Sequence, residues 1–101
     1  MIPVFCCKVH ESGHDKILAV CDAQLIGKTF TEGDVEVHIS PSFYGDEKSS
    51  AGSVMRLARK ATIINAFGND IIKLLIKGKI VEKSSVLKIG NIMHAQVVSF
   101  I

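Results

Sequence analysis

Tryptophan is absent from the 101 residues of the sequence, and proline (two residues) and cysteine (three residues) are scarce. Cys6 and Cys7 are adjacent and Cys21 is left over, which makes a poor disulfide framework because neighbouring cysteines rarely reach disulfide geometry. Met1–His10 has no basic region ahead of its apolar residues, so a secretory leader is not predicted. Reduced thiols in a cytoplasmic protein are therefore expected.

Long apolar runs are missing as well. None approaches the ~20 residues that cross a bilayer, so we expect no membrane span. Hydrophobic residues nevertheless make up 48% of the chain, which is enough to offset the entropy lost on folding. At this length we expect one domain over residues 1–101.

The sequence signatures of common enzymes are absent too. There is no GxxxxGK[ST] or GxGxxG loop to cradle phosphates, and no GxSxG or HExxH motif. Paired exposed aromatics of the kind used by RNA-recognition strands are not visible, because Tyr44 and five phenylalanines are all the aromatics present. We therefore expect no cofactor, and a binding module more than an enzyme.

A zinc site is the one metal hypothesis that the first quarter of the chain offers. Its ligands would come from Cys6, Cys7, Cys21, His10 and His14. No CxxC pair is present, and the two histidines flank a predicted turn. We predict no metal site and expect the cysteines to be small buried side chains on strands.

Two periodicities predict the secondary structure. Val35, Val37 and Ile39 alternate with polar residues, as in a strand with one buried face. Val54 and Leu57 begin an apolar stripe at helical spacing, which continues to Ile64. Strands are predicted near 3–9, 16–22, 34–39, 86–89 and 94–101, and helices near 51–67 and 70–77. Strands grouped apart from helices predict an α+β fold with a largely antiparallel sheet.

Turn and cap signals complete this pattern. Pro41 is expected to end a strand, and Phe43–Gly45 to form an aromatic loop. Gly68 is expected to end the first helix and Asn69 to cap the second.

The net charge of +2 hides an uneven distribution. Residues 1–47 carry three lysines against eight acids, a net −5, whereas residues 48–101 carry nine Lys/Arg against two acids, a net +7. Such a basic half can attract an anionic partner, unless the two halves neutralise each other in the fold. The predicted nucleic-acid contacts are Lys48, Arg56, Arg59, Lys60, Lys73, Lys77 and Lys79.

Five polar residues occupy positions where an apolar or turn residue is expected. Asn65 lies close to the apolar stripe, His94 and Gln96 open the last strand, Asp22 closes the second strand, and Tyr44 lies in the aromatic loop. Each has an ordinary structural role available, such as capping or fixing a turn. If they meet in one pocket, His94 is a candidate to bind an anionic group or to act as the general base of a small hydrolase or lyase, with Asp22 or Gln96 orienting its ring.

Several short segments occur in an order that resembles the archaeal "domain of unknown function 424" family of short proteins, over nearly the whole chain. They are Cys21-Asp22, Leu25-Ile26-Gly27-Lys28, Phe30, Phe43-Tyr44-Gly45, Ala61–Asn65, Gly68 and His94-Ala95-Gln96. The last segment is similar to the family's VPHAQ signature. Ile92-Met93 stand here before His94, without the proline that would fix a tight turn. The resemblance implies an archaeal cytoplasmic protein of a family without an established activity.

Three functions from different classes fit these observations. The first is a non-enzymatic module that binds RNA or a ribonucleoprotein of translation through phosphate contacts. The second is a protein–protein adaptor or homodimer that uses a strand edge or an apolar patch. The third is the small enzyme built on His94.

Overall fold

Strands hold more residues than helices in the structure, a computed structural model that describes residues 2–99. The strands are β1 (Phe5–Ser12), β2 (Asp15–Asp22), β3 (Thr29–Glu32), β4 (Val35–His38), β5 (Lys48–Ser49), β6 (Ile63–Phe67), β7 (Leu87–Ile89) and β8 (Ile92–Val98). The helices are α1 (Pro41–Tyr44), α2 (Ala51–Lys60) and α3 (Asn69–Lys77). No helix within residues 2–99 combines the length and apolarity needed to cross a membrane.

Six of the strands form one sheet in the order β5-β1-β2-β6-β8-β7, and β3 and β4 form a separate two-stranded ribbon. β2 and β6 pair in parallel, whereas the other pairs of the large sheet are antiparallel. The predicted α+β class with a largely antiparallel sheet is confirmed.

Strand alternation divides the interior into two cores. On one side of the sheet, Leu18 and Val20 pack with Val54 of α2 and Leu75 of α3; we call this the helix side. On the other, Cys21 and its neighbours pack beneath the β3–β4 ribbon and α1; we call this the ribbon side. A sheet covered on both faces explains why β1 and β2 are apolar at successive positions.

The predicted helix over 51–67 is wrong in its second half. α2 ends at Lys60, because Ala61 is extended (φ −76°, ψ 145°), and Ile63–Phe67 form the strand β6. The Thr62 N–H donates to the Lys16 carbonyl at 2.9 Å, which continues the contact with β2. β6 lies between β2 and β8, so hydrogen bonds on both edges and its β-branched residues outweigh the helical spacing of the apolar stripe.

Smaller corrections concern turns and boundaries. Pro41 begins α1 rather than only ending a strand, and Phe43 and Tyr44 belong to that short helix, with Ser40 as its cap. Gly68 links β6 to α3 rather than ending a helix. The strands β3 and β5 were not predicted, β1 runs to Ser12, and β8 covers 92–98. The predicted end of the last strand, residues 100–101, lies outside the described residues.

Candidate functional site

Three of the five polar candidates meet on the ribbon side. Asn65 of β6 and Gln96 of β8 are directly paired, which places their side chains on the same face of the sheet. The Tyr44 hydroxyl donates a hydrogen bond to Asn65 Oδ1 at 3.1 Å. Burial raises the pKa of Tyr44 to about 12, so the phenol keeps its proton and acts as a donor at neutral pH.

His94 lies two residues from Gln96 on the same strand face. It is paired with Phe67, and the two ring centroids are 5.2 Å apart. His94 Nδ1 lies 2.9 Å from the backbone oxygen of Ala66. Because a carbonyl can only accept, Nδ1 carries the hydrogen, and Nε2 is the acceptor in the neutral ring. The backbone of β6 thus fixes the tautomer of a half-buried imidazole.

Asp22 is separated from the other four. Its carboxylate caps α3 on the helix side, accepting the N–H of Ile71 at 2.8 Å and that of Asp70 at 3.0 Å. Burial raises the pKa of the Asp22 carboxyl, and these two hydrogen bonds oppose that rise. Asp22 is therefore a helix cap, and of the other candidates Tyr44, Asn65 and Gln96 share the ribbon side with His94.

The thiols of the zinc hypothesis lie on both faces of the sheet, and His10 Nε2 lies 2.8 Å from the Phe43 carbonyl oxygen. Cys6 and Cys21 are paired across β1 and β2 and buried on the ribbon side. Cys7 faces the helix side, where its Sγ lies 3.5 Å from Ser49 Oγ. All three cysteines are free thiols, and the described residues include no group of three His, Cys, Asp or Glu able to hold a metal ion.

Most of the predicted cationic residues lie on the helices. Arg56, Arg59 and Lys60 are exposed on α2, and Lys73 and Lys77 are exposed on α3. Their sheet-facing neighbours fill the helix-side core, so these cations point away from the sheet on the helix side.

The two helices also adjoin. A Cβ at Gly78 would collide with the Met55 thioether, so the end of α3 rests against α2. Lys79 follows this contact and is exposed, with a φ of 61°. The cations of α2 and α3 consequently lie on two adjoining helices on the same side of the sheet.

Lys48 does not lie on the helix side. It is paired with Cys6, whose side chain is buried in the ribbon-side core, so both side chains lie on that face. Of the seven predicted nucleic-acid contacts, five thus lie on α2 and α3, Lys79 lies two residues beyond the end of α3, and Lys48 lies on the ribbon side.

An apolar groove of about 550 Å³ lies beside α3 on the helix side. It is lined by Lys73, Ile76, Lys77, Lys83, Val86, Lys88 and Met93, and we call it the lysine groove. Lys83 and Lys88 were missed by the sequence reasoning. Lys88 is paired with Met93, which packs against the helix-side core, so the β7–β8 hairpin directs Lys88 to that side. The period-two pattern of Leu87-Lys88-Ile89 was the available signal, but it does not indicate which side the lysine faces.

The family model described as "Protein of unknown function (DUF424)" matches residues 10–100 of the chain. A solved structure, described as that of an uncharacterized conserved protein from Methanopyrus kandleri, is similar with a TM-score of 0.79. The match covers 96% of this chain and 94% of that chain at 19% sequence identity, which shows a shared fold. No curated protein matches the sequence.

Proposed function

The chain belongs to the DUF424 family of unknown function, and from that premise we propose that it is a non-enzymatic module that binds RNA through its helix side. The observation that carries the proposal is the grouping of the exposed cations of α2 and α3 on one side of the sheet.

Lysine and arginine bind nucleic acid chiefly through phosphate oxygens, which needs a cationic surface and no base-specific pocket. Arg56, Arg59 and Lys60 follow the i, i+3, i+4 spacing that places side chains together on a helix. Arg56 Nη2 donates to Ser53 Oγ at 3.2 Å, which holds the guanidinium over the first turns of α2. The module would therefore follow the backbone of RNA with little sequence preference.

The test is fluorescence polarisation with a labelled generic RNA oligonucleotide over a range of salt concentrations. We expect binding at low salt that weakens steeply as salt rises, because phosphate contacts release counterions. Arg56→Glu/Arg59→Glu should lower the slope of log K against log salt by about 2, since each phosphate contact contributes about 1.

Lys28→Glu/Lys48→Glu is the matched control. It changes the net charge by the same amount, with Lys28 next to the ribbon and Lys48 on the ribbon side. We expect this variant to keep most of the affinity and the slope. Absence of binding at low salt, salt-independent binding, or equal losses in both variants would contradict the proposal.

An adaptor function is the second candidate, because the lysine groove has an apolar floor that phosphate binding does not require.

A further inference from the structure

We propose that the lysine groove is the docking site for an acidic amphipathic helix of a partner protein. This interaction goes beyond RNA binding and does not depend on it.

The groove occupies the place of a missing helix in the helix layer. α3 packs over β8, β2 and β6, and α2 packs over β2 and β1. β7, the strand at the end of the sheet, lies beyond α3. A helix laid beside α3, at the usual spacing of 8–10 Å between packed helices, would lie over β7 and β8 and complete the layer.

The floor of the groove supplies the apolar surface that such a helix needs. Ile76, Val86 and Met93 are each half-buried and pack against the helix-side core. Their exposed parts are aliphatic or thioether, which suits leucine-like side chains spaced at i, i+3 and i+4 on a docked helix. RNA fits this floor less well, because bases stack best on aromatic rings.

The walls of the groove determine the charge of the partner. Lys73 and Lys77 lie along α3, while Lys83 and Lys88 lie on the opposite wall, in the turn before β7 and in β7 itself. All four are exposed. A helix in the groove would thus have cations along both flanks, which favours an apolar stripe bordered by Glu or Asp on each side.

The same charges disfavour a second copy of this chain as the occupant. α2 carries Arg56, Arg59 and Lys60, and α3 carries Lys73 and Lys77 against Asp70. Docking either helix against four lysines would bring like charges together. The partner is therefore a different protein with an acidic helix.

The test uses a labelled synthetic peptide of about 15 residues, long enough for appreciable helix formation. It carries leucines at i, i+3, i+4 and i+7 and glutamates on both flanks of that stripe. A peptide of the same composition with the order scrambled is its control. We expect saturable binding of the amphipathic peptide, with at least about tenfold weaker binding of the scrambled one.

Two groove variants and one control variant locate the site. Lys83→Glu/Lys88→Glu should weaken peptide binding at least about tenfold, since it reverses one wall. Met93→Lys should do the same by placing a charge on the floor. Lys28→Glu/Lys48→Glu, of equal charge change to the first variant, should bind as the unaltered chain does. Thermal unfolding by circular dichroism confirms that each variant is folded.

A measurement on the unaltered chain keeps the test decisive if a variant does not fold. Peptide-induced NMR shifts should centre on Ile76, Val86 and Met93. Equal binding of the scrambled peptide, shifts elsewhere, or undiminished binding by a folded groove variant would overturn the proposal. Sedimentation that shows a dimer of the native chain but a monomer of Lys83→Glu/Lys88→Glu would also overturn it, because a second copy would then be the occupant. The same holds if RNA binds in the groove and the peptide does not. The RNA result with Arg56→Glu/Arg59→Glu is measured separately, so the two proposals can fail independently.

Discussion

Asp22 and Ile71 are joined by a hydrogen bond of 2.8 Å between carboxylate and backbone N–H, across 49 positions of the sequence. The bond connects the end of β2 to the first turn of α3. Gly68 passes beside the same carboxylate with φ 137° and ψ 148°, a conformation that L side chains rarely adopt. A Cβ at Gly68 would collide with the Asp22 carboxyl group. The Asp22 carboxylate can therefore accept the N–H of Ile71 only because position 68, beside it, carries no side chain.

Gly68→Ala should consequently be strongly destabilising. The backbone strain and the clash with the Asp22 carboxylate together should lower the free energy of unfolding by about 3 kcal/mol. Urea denaturation measures the change. Gly52→Ala is the matched control, because Gly52 lies in α2 with only an ordinary contact to Arg56 at 3.7 Å, and alanine there should raise stability by up to about 1 kcal/mol. Equal effects of the two substitutions would refute this account of Gly68.

The pH dependence of stability should report the burial of Asp22. Burial raises the pKa of the Asp22 carboxyl above its ordinary value of 3.8. The contribution of its bound proton to folding stability is therefore fully present below pH 3.8 and is lost as the pH rises through the pKa of the folded state. The stability of the native chain relative to Asp22→Asn, which cannot titrate, should therefore fall as the pH rises from about 3 to 7. Urea denaturation of both proteins over this range is the measurement. A relative stability that rises with pH would show that the hydrogen bonds from α3 outweigh desolvation.

Local sequence patterns were sufficient to predict those elements in which the hydrophobic periodicity and the contacts in the fold favour the same secondary structure. Val35 and Val37 alternate with polar residues and lie in β4, and the apolar stripe from Ile71 to Leu75 lies in α3. Residues 61–67 were predicted as helix because Ala61 and Ile64 continue the spacing of α2. The pairing of β6 with β2 and β8 decides their conformation, and those strands lie far away in sequence.

The candidate sites also contain some features that a local pattern predicts and others that depend on distant contacts. The basic spacing on α2 and the pair Lys73 and Lys77 are visible in the sequence, because i, i+3 and i+4 positions share a helix face. The cap formed by Asp22 and the arrival of Lys88 at the groove depend on contacts between distant segments. No local pattern contains that information.

Thiol reactivity should distinguish Cys7 from the other two cysteines. The side chains of Cys6 and Cys21 are 3% and 0% exposed. Burial raises the pKa of the Cys6 thiol and raises that of the Cys21 thiol to about 12. The reactive thiolate form is therefore scarce at both residues. Cys7 is half-buried. A thiol reagent should label Cys7 first in the folded protein and all three thiols in denaturant. Cys7→Ser should remove the fast reaction, and fast labelling of Cys21 in that variant would contradict the buried strand pair.

Tyr44 provides a spectroscopic test of the ribbon-side cluster, because the chain has one tyrosine and no tryptophan. Burial raises its pKa from 10.0 to about 12, so tyrosinate absorbance should appear near pH 12 in the folded protein and near pH 10 in denaturant. A raised folded pKa means that its contribution to stability is complete below pH 10 and is lost as the pH rises towards 12, by about 2 kcal/mol.

Tyr44→Phe separates this effect from that of Cys21, whose pKa is also raised to about 12 by burial. The variant loses the hydrogen bond to Asn65 and should be about 1 kcal/mol less stable at neutral pH. Its stability should then fall less than that of the native chain between pH 10 and 12, as measured by urea denaturation. A phenol that titrates near pH 10 in the folded protein would mean that Tyr44 is open to water and that its hydroxyl does not hold Asn65.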